Sequence, residues 1–90
     1  MEATKSRVAD AADSLEALLT AQPQDTRRDK ALYHLGRLRS AVDASHQEAV
    51  RFAAFTLNKT VQDAAADWGS PVIDGMAGLR AALAAVGHQF

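Results

Sequence analysis

The sequence predicts an all-α protein, a compact bundle of three to four helices with short connections, and three observations carry that prediction. Apolar residues recur at three-and-four spacing through most of the chain, the spacing that gathers them on one helical face. Proline and glycine punctuate this pattern at few sites, with Gly36 alone between Thr26 and Gly69. Ninety residues, 48% of them hydrophobic, suffice for one modest core, so residues 1–90 are read as a single helical domain.

The first helix is expected over residues 4–21. Val8, Ala11, Ala12, Leu15, Leu18 and Leu19 share one face, while Asp10, Asp13 and Glu16 face water. Thr4 or Ser6 can cap its start. Gln22-Pro23 ends it, because the residue before proline is driven out of helical geometry.

A second helix is expected to begin at Arg27, with Thr26 as N-cap and Asp29 in place of the usual capping-box Glu. Ala31, Leu32, Leu35, Leu38 and Val42 form its apolar stripe. An unbroken helix from Arg27 to Trp68 would be about 60 Å long at 1.5 Å per residue, too long for a compact domain of this size. A break is therefore expected, best placed at Ser45-His46-Gln47-Glu48, a Ser-x-x-Glu capping box that starts a new helix at His46. Asn58-Lys59-Thr60, with its low helix propensity, is a weaker site for the break. Val50, Ala53, Ala54, Leu57, Val61, Ala64, Ala65 and Trp68 continue the apolar face, with Trp68 read as a core plug.

Asp67-Trp68-Gly69-Ser70-Pro71 reads as a stop and restart: Gly69 closes one helix, Ser70 caps the next and Pro71 is its first residue. The last helix is expected over 71–86, carrying Val72, Ile73, Met76, Leu79, Leu83 and Val86, with Gly87 ending it. Phe90 follows, either free or docked. No internal repeat or low-complexity tract divides the chain.

Much of the hydrophobic fraction is alanine, which buries little area per residue, so self-association through an Ala-rich or Leu-rich face is expected as a second source of stability. With no cysteine, disulfides, thiolate zinc sites and a Cys nucleophile drop out. No apolar run approaches the roughly 18 residues that span a bilayer, and no signal-peptide pattern opens the chain, so a cytoplasmic protein without membrane contact is expected.

Enzyme chemistry requires a constellation, and the sequence offers none that is complete; no catalytic residue, cofactor or metal ligand is expected. His34, His46 and His88 form no metal-ligand pair at helical spacing. The ordinary reading is that His34 and His88 are solvated and His46 packs at a helix junction. His34-Leu35-Gly36-Arg37 bears a loose likeness to the His, Lys and Gly of histidine phosphotransfer domains, but the order of the basic and small residues is reversed. The Arg28–His34 and Arg39–His46 spacings loosely resemble the Arg-x(4–6)-His pattern of helical ribonuclease domains, a match that chance supplies readily.

Charge distribution says more. The net charge is −1, yet residues 26–60 hold seven basic and three acidic side chains between two acidic ends. On the second helix Lys30, Tyr33, His34 and Arg37 occupy one stripe opposite the leucines, and a helix continued in register would add Arg51, Phe55 and Lys59. The ordinary reading is a solvated face whose cations pair with the acidic first and last helices. The functional reading makes these seven residues a partner-binding surface, since aromatic and Arg anchors commonly supply binding energy.

The expected role is a small non-catalytic protein-binding module, an inhibitor, adaptor or regulator of a larger protein or complex with an acidic surface. Its size and acidic lean are shared with phage and mobile-element inhibitors, anti-CRISPR proteins among them. A nucleic-acid-binding regulator is less expected, because the net charge is negative and no recognition motif is evident. A histidine phosphocarrier or other small helical enzyme is the remaining alternative.

Overall fold

The computed structural model describes residues 2–87, with side chains described from Arg7 onward. Its helices are α1 (Glu2–Thr20), α2 (Thr26–Asp43), α3 (Gln47–Asp63), the single turn α4 (Ala65–Trp68) and α5 (Ser70–Ala85). Four helices of bundle length therefore form, as the periodicity predicts, with a one-turn helix added before the last.

Short connections fold these helices back on one another. Arg27, at the start of α2, donates to Asp67, beyond the end of α3, at 2.7 Å, so α2 and α3 run antiparallel. Gly75, near the start of α5, lies against Leu15 and Leu18 near the end of α1, while Gly78 and Ala82 lie beside Arg7 and Ala11. Hence α1 and α5 are antiparallel too, drawn close by small residues. The bundle measures 35 × 20 × 18 Å, which a 60 Å helix would not allow.

Leu15, Leu19, Leu35, Leu38, Leu57, Met76, Leu79 and Leu83 fill the centre, each no more than 1% exposed. Burying a side chain of this size stabilises the fold by roughly 1.5–3 kcal/mol. Trp68 is buried as predicted, with the Arg27 guanidinium 5.9 Å from its ring centroid. Leu18, Leu32 and Ile73 are only half-buried at the margins.

The helix ends differ from the sequence reading in several ways. The first helix already runs through Thr4 and Ser6, so neither caps it. Asp25, not Thr26, caps α2: its carboxylate accepts from the Arg28 backbone N–H at 2.8 Å. That hydrogen bond, with the Arg27 guanidinium alongside, holds the Asp25 carboxyl below its ordinary range.

Between α2 and α3, the Ser45 N–H donates to Val42 O and the His46 N–H to Ala41 O, both at 3.0 Å. This pair is the Schellman closure of α2, which places Ser45 in the left-handed region at φ 55°. Ser45 therefore cannot cap α3; extended His46 does so, its Nδ1 accepting from the Ala49 N–H at 3.3 Å, and α3 starts at Gln47. Asn58-Lys59-Thr60 causes no break: α3 runs on through it to Asp63, with the Thr60 hydroxyl donating to Thr56 O one turn back. Gly69 both ends α4 and precedes α5, so Ser70 is the first helical residue rather than the cap.

Candidate functional site

The seven central cations separate into two groups. Arg39, half-buried on α2, donates to Asp13 at 2.6 Å and Glu16 at 2.9 Å on α1. Arg27 bridges Asp25 and Asp67, and Arg28 donates to the Gln22 carbonyl just after α1. Arg39 pairs with the acidic first helix, as the solvated-face reading expects, while Arg27 pairs with carboxylates outside the first and last helices and Arg28 donates to backbone carbonyls. Lys30, Arg37, Arg51 and Lys59 form no ion pair among the described residues.

Three of the chain's five aromatics share those two helices and face outward: Tyr33 is 59% exposed, Phe52 66% and Phe55 58%. Leaving side chains of this size in water forgoes burial that an alanine-rich core could use.

The cations and aromatics form two clusters rather than one stripe, because the Schellman turn stops the register of α2 before α3 begins. On α2, the Arg37 guanidinium lies 5.8 Å from the Tyr33 ring centroid and donates to its hydroxyl at 3.1 Å. The ring of His34 meets Tyr33 edge-on, with centroids 5.5 Å apart. His34 is half-buried rather than solvated, and burial, reinforced by the positive charges of Lys30 and Arg37, holds its imidazole below the ordinary value. Beside this cluster lies an open groove of about 630 Å³, floored by Gly36, Ser40 and Ala44 and edged by Leu32, Tyr33 and Arg37. The small floor residues let another backbone or a bulky side chain approach α2 closely.

No family model, curated protein or solved structure matches the chain. The site is therefore defined by its own geometry.

On α3, Arg51 and Phe55 line a shallow recess with Glu48 and Phe52, and Lys59 lies one turn beyond Phe55. Phe52 belongs to this exposed cluster although the stripe drawn from α2 omits it. It falls outside the apolar spacing of Val50, Ala53, Ala54 and Leu57, as Phe55 does, and that shared offset is its signal in the sequence. His46, placed by the sequence at a helix junction, does sit there, but exposed and occupied as a cap. His88 and Phe90 lie outside the described residues. Among the described residues no group of three or more His, Asp or Glu is arranged to hold a metal ion, and no helix is long and apolar enough to cross a membrane.

Proposed function

We propose that the chain is a non-catalytic protein-binding module, an inhibitor, adaptor or regulator that presents the outer face of α2 to an acidic surface on a larger protein. The observation that carries this reading is the contrast between the two groups of cations. Arg27, Arg28 and Arg39 are taken up by the fold, whereas Lys30 and Arg37 meet no carboxylate among the described residues and flank an exposed tyrosine beside an open groove. A complementary carboxylate cluster would supply the missing partners, and an apolar side chain entering over Gly36 would bury Tyr33 and Leu32.

The test is capture from host lysate, with and without nuclease, by the tagged wild type and by Lys30→Glu/Arg37→Glu. Both positions are exposed, so the double variant is expected to keep its helicity. A stoichiometric protein partner should be retained by the wild type and lost, with affinity down about 100-fold or more, by the variant. A partner held equally by both would refute the α2 face as the docking surface. Recovery of nucleic acid alone, released steeply by salt, would replace a protein partner with a polyanion.

A further inference from the structure

The second cluster has an order of its own. Glu48, Phe52, Phe55 and Lys59 follow one another at intervals of four, three and four residues, which sets them in one row along the outside of α3. All four are exposed, and neither Glu48 nor Lys59 forms an ion pair among the described residues. The row reads acid, aromatic, aromatic, cation. Turned end for end and laid against itself, it is complementary at every position.

We infer that this row is a self-association seam, in which α3 of one copy packs antiparallel on α3 of a second copy about a two-fold axis between Ala53 and Ala54. In that register Glu48 faces the partner's Lys59 and Phe52 faces the partner's Phe55. Two-fold symmetry repeats each contact, giving two ion pairs around a four-phenylalanine centre. A parallel pairing would set Glu48 against Glu48 and Lys59 against Lys59, so the end charges select the antiparallel arrangement. Phe52 and Phe55, the two aromatics of this helix, are both largely exposed, and the seam removes both from water.

A seam formed by one 17-residue helix is smaller than the about 800 Å² per partner of a stable complex, so association is weak and concentration-dependent. It uses none of Lys30, Tyr33 or Arg37, and it stands whether or not α2 docks an acidic partner.

Sedimentation velocity from about 10 μM to about 1 mM spans the affinity expected of such a seam. The wild type should pass from monomer to dimer over this range, and Phe52→Ser/Phe55→Ser should stay monomeric with unchanged helicity. Glu48→Lys and Lys59→Glu should each weaken the dimer about tenfold, since each turns two attractions into two repulsions. The doubly exchanged chain, Glu48→Lys/Lys59→Glu, should regain the affinity. Amide shifts of the wild type that move with concentration should fall on α3 and spare Lys30, Tyr33 and Arg37. A wild type monomeric throughout, a dimer that survives loss of both phenylalanines, concentration-dependent shifts lying off α3, or an exchanged chain no tighter than the single variants would each overturn the inference.

Discussion

Alanine in place of Gly69 and in place of Gly36 should move stability in opposite directions, and the difference is set by backbone geometry. Gly69 joins α4 to α5 at φ 82° and ψ 179°, a region that residues with a Cβ scarcely enter. A Cβ there would meet only the Pro71 Cδ at 3.8 Å, an ordinary contact, so the cost is backbone strain rather than collision. That strain is worth about 1–3 kcal/mol. Gly36 lies mid-helix in α2 with nothing within 4 Å of its would-be Cβ, so alanine gains the helix-propensity difference of about 0.5–1 kcal/mol. For a domain of this length 1 kcal/mol moves the melting temperature by roughly 4–8 °C, so the two variants should melt at least about 6 °C apart. Urea unfolding followed by far-UV circular dichroism measures both, with the slope against denaturant held constant as the two-state check. Shifts of the same sign, or a neutral Gly69→Ala, would refute the assignment of a glycine-only conformation to the α4–α5 joint.

Two further outcomes follow from the α2–α3 hairpin. Ser45 occupies the left-handed closing position of α2 at φ 55°, where glycine is usual, so Ser45→Gly should raise stability by about 0.5–1 kcal/mol in the same urea assay. A loss instead would mean that the serine hydroxyl serves the turn. For His34, burial followed by the charges of Lys30 and Arg37 lowers the folded-state value below the ordinary 6.5, so the fold favours the neutral ring. The unfolded chain then takes up the proton first, and stability that is complete above pH 6.5 is lost as pH falls through that value towards the lower folded one. The urea midpoint should drop between about pH 7.5 and about pH 5.5, by less in His34→Gln than in the wild type; equal drops would show that His34 titrates alike in both states.

The sequence was most legible where one physical rule acted alone. Leu15, Leu19, Leu35, Leu57, Leu79 and Leu83 lie at the core because helical periodicity and the hydrophobic effect agree, and no competing signal touches them. Boundaries were less legible where adjacent residues can do the same work. Asp25 and Thr26 both have capping side chains, and the choice between them depends on which one is extended. At residues 44–46 the capping-box pattern identified the place but assigned the wrong residue. Closing α2 required a left-handed residue, which took Ser45 out of use as a cap and passed the role to His46. The same closure ended the register that joined Tyr33 to Phe55, so the proposed surface divided in two. Pairings such as Arg39 with Asp13 and Glu16 depend on the way the helices fold back, which no local pattern contains.

The geometry around Tyr33 bears on why an exposed ring can serve binding rather than merely lie in water. A free tyrosine on a helix surface explores several rotamers, and ordering a flexible side chain on docking costs about 0.5–1.5 kcal/mol. Here the Arg37 guanidinium both lies over the ring and donates to its hydroxyl, and the His34 ring meets its edge. Part of the ordering cost is thereby met before a partner arrives. An exposed Arg–Tyr contact adds little to the stability of the fold, since water competes for each group. A guanidinium placed on an exposed aromatic therefore does little for the isolated bundle. The same contact holds the tyrosine and a positive charge in fixed relation beside the groove over Gly36, which is the property a partner's carboxylate and apolar side chain would read together.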